Sequence, residues 1–175
     1  MKYKIDPNTV KVASKRVADV LGISTRMVAH YVSVTGQEAT GKPDGRGTRR
    51  QFTFKESGLL AVGKKLSGTG MSPIRVKQCL DAALRIWDKM FPDPMILVGE
   101  PEEFMISDVE WKTQDYHLLA WEDKKGEFHC ETVSWEHFST RLMNLASEAL
   151  VLVYLTPLIR SIMFELAAEE ANIPK

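Results

Sequence analysis

One glycine, Gly22, sits between two short stretches of helical periodicity, and this constrains the N-terminal part of the chain more than any other feature. Over residues 12–21, Val17, Ala18, Val20 and Leu21 fall on one helical stripe, with Ser14 as the expected N-cap. Gly22 follows the last apolar residue, where a left-handed C-cap is expected, and Ile23 points back to the core. Ser24 then opens a second helix, Ser24 to Val32, whose apolar set is Met27, Val28, Tyr31 and Val32. Thr25, Arg26, Ala29 and His30 are left facing outward. Helix, short Gly-containing turn, helix is the helix-turn-helix pattern, in which the N-terminal side chains of the second helix reach base edges in a major groove. Arg26 can take a guanine through two hydrogen bonds, and Ser24 or Thr25 can hold a phosphate. A helical hairpin inside an unrelated α domain would share the same local pattern.

Charge supports the nucleic-acid alternative. Residues 1–90 carry 17 Lys and Arg against 7 Asp and Glu, whereas residues 91–175 carry 6 against 16. The formal net charge of zero therefore conceals a basic half that attracts polyanions and an acidic half that repels them. Within the basic half, residues 36–50 interleave Gly36, Gly41, Pro43, Gly45 and Gly47 with Lys42, Arg46, Arg49 and Arg50. The alternating strand Gln51–Phe54 follows, with Phe52 and Phe54 as expected core anchors. A basic ribbon beside a helix-turn-helix is a wing that grips the phosphate backbone or minor groove; a solvated basic loop is the plainer alternative. A third helix is expected from Lys55 to Ser67. Gly68-Thr69-Gly70 breaks it, and Ser72-Pro73 restarts a fourth that runs to about Met90.

Three segments together carry a family resemblance: Val17 to Tyr31, Gly47 to Glu56, and Leu66 to Val76. In this order they resemble the winged helix-turn-helix domain of the MerR family of bacterial transcription regulators. The resemblance implies DNA contacts from Arg26, His30 and Tyr31 and from Arg50 with Arg46 or Arg49. The chain departs from the family at Ala29, where an arginine is common, and at Phe91-Pro92-Asp93-Pro94, which stops the helix that family members use to dimerise. Excisionases, phage factors that bend DNA, have a similar reader.

Beyond Pro94 the period changes. Met95–Val98 and Phe104–Trp111 read as strands. Tyr116–Trp121 and Glu127–Val133 flank a turn at Asp123-Lys124-Lys125-Gly126. A helix capped by Ser134 or Ser139 is expected to occupy the rest of the chain, kinked or broken at Pro157. Its nearly all-round apolar stretch, Ala149 to Leu155, calls for a further partner, and a second copy of the chain supplies one.

His117, His129, Cys130 and His137 raise the question of a metal, but they lack ligand spacing, and neighbours His129 and Cys130 point to opposite faces of a strand. Cys79 reads as a small core residue. Trp111, Tyr116, Trp121 and Trp135 read as sheet core rather than as a pocket lining. The two cysteines form no disulfide framework and fit a reducing cytoplasm, and no apolar run reaches the roughly 20 residues of a membrane helix. No nucleophile, base and acid in sequence order, and no phosphate loop, points to catalysis.

The expected fold is mainly α with small β elements: a winged helix-turn-helix over residues 1–90, then a small acidic α+β domain over 91–175 with a long C-terminal helix. The expected function is that of a cytoplasmic, sequence-specific duplex DNA-binding regulator, dimeric through that helix, without metal, cofactor or enzymatic activity. The expected DNA contacts are Ser24, Thr25, Arg26, His30, Tyr31, Arg46, Arg49 and Arg50. The alternative is an excision or packaging accessory protein whose acidic half docks a protein partner.

Overall fold

A computed structural model of the chain describes residues 2–35, 50–92, 95–98, 109–110, 114–145 and 150–171. The fold is mixed α/β, rich in helix, with small antiparallel sheets. It begins with strands β1 (Lys2–Ile5) and β2 (Lys11–Ala13), then helices α1 (Ser14–Leu21) and α2 (Thr25–Thr35). Strand β3 (Gln51–Thr53) leads into α3 (Phe54–Ser67), α4 (Pro73–Arg85) and the single turn α5 (Trp87–Met90). Strands β4 (Met95–Val98), β5 (Val109–Glu110), β6 (Tyr116–Glu122) and β7 (Phe128–Ser134) follow. Helix α6 (Trp135–Asn144), strand β8 (Leu150–Tyr154) and helix α7 (Leu155–Ala171) complete it.

The turn between α1 and α2 forms as its residues require. Gly22 has φ 61° and ψ 41°, and its N–H donates to the Asp19 carbonyl while the Ile23 N–H reaches back to Ala18. An L-residue with a Cβ seldom adopts that conformation, so glycine closes the helix at little steric cost. Ser24 then caps α2, its Oγ accepting from the Met27 N–H at 3.2 Å. At α1 the expected cap shifts by one residue: Ala13 occupies the N-cap position and Ser14 is the first helical residue.

Strand β3 carries Phe52 and opens directly onto Phe54 of α3, and both rings are buried as expected. Its partner is β2, the strand before α1, with Val12 opposite Phe52 and Lys11 opposite Thr53. Thr53 and Glu56 close a reciprocal capping box at the start of α3. Helix α4 ends at Arg85, earlier than its apolar spacing implies, because the chain turns at Ile86 before the short α5.

The C-terminal region departs from the sequence expectation. The apolar stretch read as part of one long helix is strand β8, paired antiparallel with β6 from Trp121 opposite Leu150 to His117 opposite Tyr154. With β7 on its other edge, β6 becomes the middle strand of a three-stranded sheet. Short continuous apolar runs suit a buried strand as well as a buried helix, and periodicity alone does not separate them. Pro157 neither kinks nor breaks a helix. It lies in the first turn of α7, where its missing N–H is not needed. Thr156, fully buried beside it, accepts from the Tyr116 N–H and donates to the Gln114 carbonyl, which fixes the start of α7 against β6.

This changes the grounds for a dimer. The apolar stretch assigned to an unpartnered helix is instead paired within the chain as β8, with Val153 buried, Leu150, Val151 and Leu152 half-buried and Tyr154 exposed. The apolar side of α7, with Leu155, Ile159, Met163, Leu166 and Ala167 buried, joins the common core and packs on α3 and α1.

The change of charge near residue 90 is not a packing boundary. One cluster runs from Val12, Phe52, Leu60 and Leu80 through Leu118 and Val153 to Ile159 and Met163. Strand β1 also pairs with β4 across it, Lys2 opposite Val98 and Ile5 opposite Met95. Helices α3 and α7 approach closely: a Cβ built on Gly58 would lie 2.8 Å from Ile159 Cγ2. Replacing a helical glycine by alanine normally gains about 1 kcal/mol. Here overpacking costs about 1–3 kcal/mol, so Gly58→Ala should destabilise the chain in urea unfolding. In an Ile159→Ala background the same change should become stabilising. A stabilising Gly58→Ala in the otherwise native chain would contradict the close approach.

Candidate nucleic-acid interface

Helix α2 is held by one side and open on the other. Val28 is 1% exposed and packs in the core, while Tyr31 and Val32 are half-buried against it. Thr25, Arg26, Ala29 and His30 are exposed, as their spacing predicts, and so is Ser24. Met27 differs from expectation: it is 38% exposed and adds an apolar side chain to the open first turn. The His30 and Tyr31 rings lie 5.7 Å apart, tilted by 58°. Ser24 is committed to its cap, so its contribution to any phosphate would compete with the Met27 N–H.

Many cations of the basic half are engaged within the protein. Arg16 Nη2 donates to the Glu165 carbonyl at 3.0 Å, and the Lys64 ammonium donates to the Leu21 carbonyl. Lys55 stands 5.2 Å over the Trp87 ring. Arg75 pairs with Glu122 and covers the Phe128 ring, and Lys77 pairs with Asp81 one helical turn away. Lys11, Lys15, Arg26 and Arg50 differ. Lys11, Lys15, Arg26 and Arg50 are exposed, and their side chains form no hydrogen bond or ion pair among the described residues.

Arg50 precedes β3 directly, and its carbonyl accepts from the Ser14 N–H at 3.0 Å. This bond seats Arg50 beside Ser14, the first residue of α1 and the sequence neighbour of Lys15, three register positions from the Lys11–Thr53 pair. Sequence reasoning missed Lys11 and Lys15, although their alternation with Val12 and Val17 was available as a signal. Arg46 and Arg49 lie outside the described residues, as does most of the Gly-rich segment expected to form the wing.

The acidic half contains one group with metal-ligand chemistry among the described residues: Asp123, Glu127 and His129, whose ligand atoms lie within 4.8 Å of one another. Asp123 is already occupied as the buckle of the β6–β7 turn. Its carboxylate accepts from the Lys125 and Glu127 N–H groups at 2.9 Å each and contacts His129 Nε2 at 3.1 Å. The Glu127 N–H, then His129, hold its carboxyl below the ordinary range. Gly126, at φ 79°, completes the turn.

His117, another candidate ligand, is buried and stacks 4.2 Å from Phe138. Burial pushes its imidazole below the ordinary value, only partly offset by Asp115 and the Val133 carbonyl. Of the aromatic residues expected in the sheet core, Tyr116 and Trp121 are half-buried, Trp135 is 62% exposed, and Trp111 lies outside the described residues.

No protein-family model and no curated protein matches the chain.

Proposed function

We propose that the chain is a sequence-specific duplex DNA-binding transcriptional regulator. In this reading α1, the Gly22 turn and α2 act as a helix-turn-helix, and β2, β3 and the Gly-rich basic segment before β3 act as its wing. The observation that carries the proposal is the first turn of α2. Val28 anchors the helix in the core, while Thr25, Arg26, Met27 and His30 project from it exposed.

That arrangement suits insertion of a helix N-terminus into a major groove, with Arg26 on a guanine and Met27 against a thymine methyl. Lys15 and Arg50 at the N-terminus of α1, with Lys11 on the strand that leads into it, suit adjacent phosphates. Fixed cations at the positive end of a helix favour anions there. The acidic half is set away from the phosphates by its own charge, which orients the molecule on the duplex.

Footprinting of the purified chain on a pool of duplex fragments tests the reading. A protected site of defined sequence is expected. Uniform coverage of all fragments, or no protection at low salt, would refute it.

A further inference from the structure

The two cysteines stand far apart in sequence, one in each charge half, yet the fold brings them together. Cys79 lies in α4 and is fully buried, whereas Cys130 lies in β7 and is half-buried. Helix α4 packs on β7, where Cys130 lies against the core cluster that holds Cys79, and each thiol is the chief influence on the other's titration. Cys79 Sγ also lies 3.9 Å from the Met71 sulfur. Both cysteines are free.

We propose that Cys79 and Cys130 form a redox-reactive dithiol that a peroxide converts to an intramolecular disulfide, stapling α4 to β7. The surroundings divide the roles. The neighbouring Cys79 side chain, helped by Arg85, outweighs burial and the carboxylates of Asp81 and Glu131, and brings the Cys130 thiol down to about 7. The neighbouring Cys130 side chain together with burial pushes the Cys79 thiol up. Cys130 is thus the accessible thiolate, and Cys79 is the shielded thiol that resolves it.

In the first step the Cys130 sulfur attacks one peroxide oxygen and the O–O bond breaks. Cys130 becomes a sulfenic acid, and the departing hydroxide takes a proton to become water. In the second step the Cys79 sulfur, losing its proton, attacks the Cys130 sulfur. The S–O bond breaks, and its oxygen leaves as water with that proton. Two electrons pass from the thiols to the peroxide.

The staple would join the basic half to the acidic half through α4, which also packs against α2. The proposal does not depend on duplex binding.

The test is mass spectrometry of the full chain after brief exposure to a small excess of hydrogen peroxide, under non-reducing conditions. The expected product is a monomer lighter by two hydrogen atoms, yielding a Cys79–Cys130 linked peptide and restored by a thiol reductant. With Cys79→Ala, a dimedone-type reagent should trap sulfenic acid at Cys130. With Cys130→Ala, Cys79 should stay unmodified in the folded chain. A disulfide between two chains, a sulfinic acid at Cys130 without any crosslink, or no reaction of the native chain would each overturn the proposal. The native-chain result stands even if a variant fails to fold.

Discussion

A Val153→Asp chain should be largely unfolded in buffer. Val153 is 3% exposed on β8, opposite Leu118 of the central strand, in the cluster that also holds α3 and α7. An aspartate there loses the packing of a valine and buries a carboxyl with no partner. Such changes cost about 4–5 kcal/mol or more, against a total stability of about 5–15 kcal/mol for a typical domain. Tyr154→Asp, one residue on and 53% exposed, should shift stability only slightly. Urea unfolding followed by tryptophan fluorescence and circular dichroism would separate the two. Equal midpoints for both variants would contradict β8 as a strand with one face in the core.

Arg26→Ala and Arg50→Ala should both weaken binding to a preferred duplex, and should differ on a scrambled one. If Arg26 reads a base, its loss removes about 1–3 kcal/mol of discrimination, roughly tenfold to a hundredfold, and leaves scrambled duplex almost unaffected. If Arg50 contacts a phosphate, its loss weakens both duplexes alike and lowers the salt slope by about one. Fluorescence anisotropy on the two duplexes reads both effects. Parallel losses in both variants would remove the division of roles between helix and wing.

Features set by neighbouring residues were legible in the sequence. Gly22 closing α1, Ser24 opening α2, the Phe52 and Phe54 anchors, and the β6–β7 turn all depend on a few adjacent side chains and their conformational preferences. The exposure of Arg26 and His30 followed from the same spacing. Features set by distant pairing were not legible. Nothing near Phe52 announces that its strand partner lies before α1. Nothing in Leu150–Tyr154 distinguishes a central-sheet neighbour from a buried helix until β6 is in place. Charge divides the chain near residue 90, but hydrophobic packing ignores charge on the surface and joins both halves in one core. The contact between Cys79 and Cys130 arises only from α4 crossing β7, which no local pattern encodes.

The most direct measurement of duplex recognition is the equilibrium affinity of the full chain for a short duplex across a salt series. In the proposed reading, displacement of condensed counterions by Lys11, Lys15, Arg26, Arg50 and the basic segment before β3 predicts a linear fall of log affinity with log salt. The slope should be about −0.9 for each phosphate neutralised. An affinity indifferent to salt, or no complex in dilute buffer, would contradict it.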